Sequence, residues 1–190
     1  MSITLIEYLG EEPLNFDDVA AQCRLDGEAE RPFIESTLIP AARQLAEQKT
    51  GAAIRRARYR ETFPWFPATL SLPLGLGQVT KVEQLRYRSV LNGEVAWDPA
   101  AYRLHYGSRT SWVEPVGDGW PMTTRGADAV CIEYRAGLDL AHRPSVKQWL
   151  LLACAWLFEQ RELYLLNAAQ PMPDAFADTL LADITVLPRF

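Results

Sequence analysis

A chain of 190 residues, 48% hydrophobic and 23% charged, is long enough for a real core and too apolar for wholesale disorder. Its formal net charge of −5 gives no electrostatic reason for tight binding along a nucleic-acid backbone, so only local basic stripes remain to consider. Cys23, Cys131 and Cys154 form no C-x-x-C pair and no Cys/His ligand spacing, which reads as free thiols in a reducing compartment with no metal or other cofactor.

The first residues, MSITLIEYLGEEP, have no basic n-region and reach acidic residues quickly, so they do not read as a secretory signal. No regular element is assigned before Leu14. Asn15 is a good N-cap, and Asp17 and Asp18 suit the positive end of a helix dipole, which predicts a short helix to about Arg24. A longer helix begins near Arg31-Pro32, with Ile34, Leu38, Ala41, Leu45 and Ala46 at helical spacing, and stops at Thr50-Gly51. Pro40 lies inside it and would clash with the carbonyl of Ser36, so a kink is expected there.

From Ala53 to Gly137 the period changes to two. Arg56, Arg58 and Arg60 alternate with Ala57, Tyr59 and Glu61 on a first strand; residues 79–88, 102–106, 110–113 and 129–134 follow, with a tight turn at Leu91-Asn92-Gly93-Glu94. After Arg143-Pro144-Ser145, with Ser145 as cap, a helix to about Leu165 carries residues 149–158, WLLLACAWLF. These ten apolar residues fall well short of the roughly 20 that a membrane span needs, so no membrane partner is expected. Around the wheel, Val146, Trp149, Leu150, Ala153 and Leu157 form one stripe, and Leu151, Leu152, Ala155, Trp156 and Leu163 a second. One stripe suffices for a surface helix; two require burial from both sides. A last short helix spans about 174–183.

Catalytic signatures are sparse. Leu74-Gly-Leu-Gly77 lacks the third glycine and the strand-to-helix context of a dinucleotide site and reads as a turn. Gln48-Lys49-Thr50-Gly51 reads as a helix end, His105 as a rim residue of a strand, His142 as a loop residue, and Glu159 with Glu162 as the solvated end of a buried helix. Two features carry more weight. Arg55, Arg56, Arg58 and Arg60, echoed by Arg86 and Arg88, make a basic stripe that either guards a sheet edge or meets DNA or an acidic partner. Six tryptophans and the doubly apolar helix suit either a well-packed core or an obligate subunit interface.

Read in order, LNFDDVAAQCRL (14–25), FIESTLIPAARQLAEQKTGAAI (33–54), AAYRLHY (100–106), EYRAGL (133–138) and VKQWLLLACAWLFEQRE (146–162) resemble the head–tail connector, or head-completion adaptor, proteins of tailed bacteriophages, in the variant with a β-rich insertion. The resemblance covers roughly residues 14–165 and rests on element order, since these proteins have no catalytic motif. Pro40 and the linker 167–173 depart from the pattern, whereas the Pro188-Arg189-Phe190 ending fits it. The resemblance implies a structural subunit, without catalysis or cofactor, at the virion head–tail junction after assembly in the bacterial host cytoplasm. Copies would form a homo-oligomeric ring between the portal protein and tail-side connector proteins, with DNA in the lumen.

The expected architecture is therefore a single α+β domain: helices from about 15–51 and 145–183 pack together, and a β-rich insertion spans about 53–137. Leu152, Ala155 and Trp156 are the candidate oligomer interface, and the Arg55–Arg60 stripe the candidate lumen-facing or partner-facing surface. Two other readings stand beside this one. One is a ligand- or protein-binding module using a β-cleft lined by Trp65, Trp97, Trp112 and Trp120; the other is an enzyme using His105 with Glu133 or Glu114.

Overall fold

Asn15 opens the helical part of the chain as expected. Its side chain accepts from the Asp18 amide while the Asp18 carboxylate accepts from the Asn15 amide, a reciprocal capping box that fixes the start of α1 (Phe16–Cys23). The computed structural model to which this helix belongs describes residues 2–107, 109–160 and 174–186.

The long second helix forms in three pieces: α2 (Arg31–Phe33), a five-residue π turn (Ile34–Leu38) and α3 (Ile39–Thr50). This is the form the disruption at Pro40 takes. In a continuous helix the proline ring would strike the carbonyl one turn back. The π turn inserts one residue, so that the Ile39 amide bonds the Ile34 carbonyl, and leaves Pro40 in the first turn of α3, where no amide is needed. Gly51, at a left-handed φ of 67°, then ends α3 at the expected place.

Seven strands follow from the middle of the chain: β2 (Ala57–Phe63), β3 (Leu72–Pro73), β4 (Val79–Ser89), β5 (Gly93–Ala96), β6 (Tyr102–Tyr106), β7 (Ser111–Pro115) and β8 (Val130–Ala136). An eighth, β1 (Ser2–Tyr8), was not expected from the sequence. The main sheet is antiparallel in the order β1-β2-β8-β4-β5, and a second sheet has the order β3-β7-β6. The sheet thus draws on the N-terminus as well as on the predicted insertion. With α4 (Pro144–Glu159) and α5 (Asp174–Leu181) completing the chain, the fold is α+β, as expected.

Two apolar clusters organise these elements. Val19, Ile34, Ile39, Ala46, Trp149, Leu150 and Ile184 belong to the helical one; Leu72, Leu74, Leu85, Val113, Ile132 and Tyr134 belong to the one formed by the strands. Each fully buried aliphatic side chain contributes about 1.5–3 kcal/mol of transfer free energy, so both clusters are substantial cores. Glu47 joins the two parts of the fold by accepting from the amides of Ile54 and Arg55 at 2.9 and 3.2 Å. The Val186 amide reaches the Thr50 carbonyl at 2.7 Å, and Ala52 bridges Gly77.

Leu74-Gly-Leu-Gly77 is a close-packed turn. A β-carbon on Gly75 would stand 2.1 Å from the Ile3 Cδ1, and its amide donates to the buried carboxylate of Glu61 at 2.8 Å. Close approach of β1 explains this glycine without a ligand.

Candidate oligomer interface

The doubly apolar helix is α4. It begins at Pro144 with Arg143 in the cap position and no side-chain cap, two residues earlier than the Ser145-capped start expected. Two ion pairs orient it: Lys147 to Asp18 on α1 at 2.7 Å, and Arg143 to Asp183 at 2.5 Å. Val146, Trp149, Leu150, Ala153 and Cys154 are buried, and Leu151, Leu157 and Phe158 are partly buried against the same helical cluster. The first predicted stripe is therefore core, and the second divides. Leu151 turns inward, Leu152 and Ala155 are half-buried, and Trp156 is 38% exposed. Positions 152, 155 and 156 are three and four residues apart and share one face. Leu163 and Glu162, and the extension of the helix to Leu165, lie outside the described residues, as do the linker 167–173 and the Pro188-Arg189-Phe190 ending.

The arginine stripe does not lie on a sheet edge, and most of its side chains are paired. β2 lies between β1 and β8, so its arginines guard no edge. Nor do they form a bare cationic surface. Arg55 donates to the Gly10 carbonyl and to Glu12 at 2.8 and 2.7 Å, and its guanidinium lies 4.0 Å from the centre of the Tyr8 ring. Arg58 pairs with Glu7 at 3.1 Å, and Arg60 with Glu133 at 2.7 Å. Arg86 bridges Glu94 and Glu133 at 3.0 and 3.3 Å, and Arg135 pairs with Glu83. The backbone of Arg56 passes close to Gly137, just after β8: a β-carbon there would come within 2.6 Å of the Arg56 Cα. Cross-strand register supplies these partners, as Arg60 sits opposite Glu133 and Arg58 opposite Glu7. The result is a charge-balanced lattice on the outer face of the main sheet.

Cys131 lies within that lattice, in a cleft of about 330 Å³ with Arg60, Thr62, Arg86 and Glu94. Burial raises its thiol pKa against the opposing effect of Arg86 and Arg60, which disfavours the nucleophilic thiolate. All three cysteines are free.

The four tryptophans of the binding-module reading do not line one cleft. Trp97 and Trp120 join an aromatic cluster with Phe66, Tyr87 and Tyr102, in which Phe66 and Trp120 stack at 4.6 Å. Trp112 stacks on His105 at 5.4 Å and donates to Glu114 at 2.7 Å, whereas Trp65 is half exposed beside Arg125. Large rings satisfy their apolar area by burying one another. His105 does meet Glu114, at 3.2 Å, but Glu133 is engaged by Arg60 and Arg86 on the other sheet. His142 lies 3.3 Å from Asp139 in an exposed turn. Among the described residues, no group of three or more His, Cys, Asp or Glu side chains could hold a metal ion, and no helix is long and apolar enough to cross a membrane.

No protein-family model and no curated protein matches the sequence. Solved structures do share its shape. The fold matches chains of gene transfer agent particles. One, from the neck of an empty GTA particle computed with C6 symmetry, superposes with a TM-score of 0.76 at 20% identity, over 100% of this chain and 98% of that chain. A chain from the virion of a native gene transfer agent particle gives 0.77 at 20% identity, with the same coverage. A third, from the neck of a native GTA particle computed with C12 symmetry, gives 0.71 at 18% identity. At this identity the shared property is the fold, and it extends over the full length of both chains.

Proposed function

We propose that this chain is a structural subunit of the neck of a phage or phage-like particle. Copies form a ring at the head–tail junction, between the portal protein and tail-side connector proteins, after assembly in the bacterial host cytoplasm. The subunit works by shape complementarity and carries out no chemistry. The observation that carries this reading is the full-length match in fold to neck chains from particles computed with cyclic symmetry. The partly open stripe Leu152, Ala155 and Trp156 supports it, because a cyclic ring requires each subunit to present patches beyond its own core.

In this reading the outer face of the main sheet lines the lumen or meets a partner as a balanced surface. DNA would slide past Arg58 and Arg60 without being gripped, since a cation already paired with Glu7 or Glu133 releases few counterions from a phosphate backbone.

Sedimentation velocity and native mass spectrometry over a concentration series, with and without portal protein, test the proposal. Ring-sized species that weaken on replacing Trp156 with lysine are the expected result. A chain that stays monomeric at every concentration, portal included, would refute it.

A further inference from the structure

The main sheet ends in two edges of different kinds. β5 is four residues long and carries Glu94, a short and charged strand of the sort that keeps other strands off. β1 is seven residues long, and among the described residues no strand pairs with its outer side. It holds neither lysine nor proline, and its bulge falls beyond Leu5, so Ser2 to Leu5 is regular. An edge in this state is a template for another extended backbone, because every second residue turns an unpaired N–H and C=O outward.

The side chains say which backbone. Ile3 and Leu5 lie opposite Glu61 and Tyr59 on the inner face of the sheet, yet remain 38% and 40% exposed at its open edge. Between them Thr4 points to the outer face, opposite Arg60. Ile3-Thr4-Leu5 is therefore symmetric in its chemistry: apolar, hydroxyl, apolar. Turned antiparallel about Thr4, the same stretch of a second copy sets Leu5 against Ile3, Ile3 against Leu5 and Thr4 against Thr4, each on a matching face. No uncompensated like charges meet there. Glu7 is paired with Arg58, and Arg60, beside the axis, is paired with Glu133.

We infer that free copies associate as a two-fold pair through β1, in an antiparallel contact centred on Thr4 that joins two five-stranded sheets into one. A second copy is the occupant because this strand is its own complement in backbone, apolar face and charge. The contact is isologous and closes at two copies, unlike the heterologous contacts of a ring. It goes beyond the ring reading and does not depend on it: the pair covers the β1 edge of subunits that are not yet in a particle.

The test is cross-linking at the axis. Thr4→Cys places two thiols on facing residues, whose Cα atoms in an antiparallel pair stand about 4.5–5.5 Å apart, within disulfide reach. Oxidised glutathione accepts the two electrons and two protons, leaving one S–S bond between copies and two molecules of reduced glutathione. Thr4→Cys should then run as a covalent dimer on a non-reducing gel, with the peptide bearing position 4 joined to itself in mass spectrometry. Ser2→Cys should not, because in this register its two copies lie at least about 13 Å apart. The original chain, with Cys23, Cys131 and Cys154, sets the background. In sedimentation velocity without portal protein the original chain should show a monomer–dimer equilibrium. Leu5→Lys should raise its dissociation constant at least about tenfold, since the two-fold axis repeats the lost apolar pair. Should Leu5→Lys detach β1, the cross-link at Thr4 still decides. Equal cross-linking of Ser2→Cys and Thr4→Cys, or a chain that is monomeric without portal at every concentration, would overturn the pair. Rings that form with portal while no β1 dimer exists leave the ring reading standing and remove this one; dimers without rings do the reverse.

Discussion

Arg43 is the side chain whose removal should cost this fold the most for its position on a helix surface. It is 2% exposed, and its guanidinium donates to Glu12 at 2.8 and 3.2 Å and to Glu47 at 2.6 Å. Burial opposes its charge, but the hydrogen bonds to Glu12 and the charges of Glu47 and Glu12 outweigh this and raise its pKa. The network ties the segment after β1 to α3, and Glu47 in turn holds the start of the chain into β2. Arg43→Met keeps the packed stem and deletes the charge. Breaking a buried ion pair from one side costs about 3–5 kcal/mol. The lower end applies here, because Glu12 keeps Arg55 at 2.7 Å, Glu47 keeps two amides, and the carboxylates are 18% and 20% exposed. A loss of about 3 kcal/mol should lower the urea midpoint by about 1–1.5 M at a slope of 2–3 kcal/mol/M. Circular dichroism in a urea series measures it. Arg43→Lys, which keeps the charge and loses the two-pronged contact, should fall between the two. A loss below about 1 kcal/mol for Arg43→Met would put the network in the class of exposed surface pairs and refute the argument.

Pro40→Ala should change stability by less than about 1 kcal/mol, because the π turn has already placed residue 40 where an amide is not needed; a gain near 3 kcal/mol, the cost of a mid-helix proline, would contradict this. Tyr59 is pushed up to about 12 by burial, with Glu47 and Tyr8 adding to the effect. Its folded pKa exceeds the unfolded one, so the stability it contributes is complete below pH 10 and falls as pH rises through about 12. Alkaline unfolding followed by circular dichroism should show that fall, and Tyr59→Phe should remove it. Burial, with Cys23 adding to it, raises the Cys154 thiol to about 12, so a thiol reagent at pH 8 should label Cys154 only as fast as the helical core opens. Labelling at the rate of a free thiol in the native chain would show that this core is open.

What the sequence determined by itself is what a few neighbouring residues decide. Asn15 and Asp18 fix the start of α1 through bonds spanning three residues. Thr50-Gly51 ends α3, and the period-two segments found their strands, because propensity, capping and turn chemistry act over one or two turns of chain. The resemblance to connector proteins was drawn at the same level, from an order of elements, and what the solved structures share with this chain is its fold. Pro40 announced a disruption, but its resolution as a π turn depended on how the flanking residues pack.

Tertiary structure alone decided the rest. Ser2–Tyr8 carries β-forming Ile3, Thr4, Ile6 and Tyr8, but its place at the edge of the main sheet is decided by pairing with β2, about fifty to sixty residues away. The arginine stripe looked cationic in sequence, yet the carboxylate opposite Arg60 lies 73 residues away, at a register that β-strand pairing chooses. The tryptophans read as one cleft until packing sent them to three environments. In WLLLACAWLF the sequence showed two apolar stripes, and only the position of the other helices decided that Leu151 turns inward while Trp156 stays partly open. Local energies choose the elements; contacts between residues distant in sequence choose which faces are left for a partner.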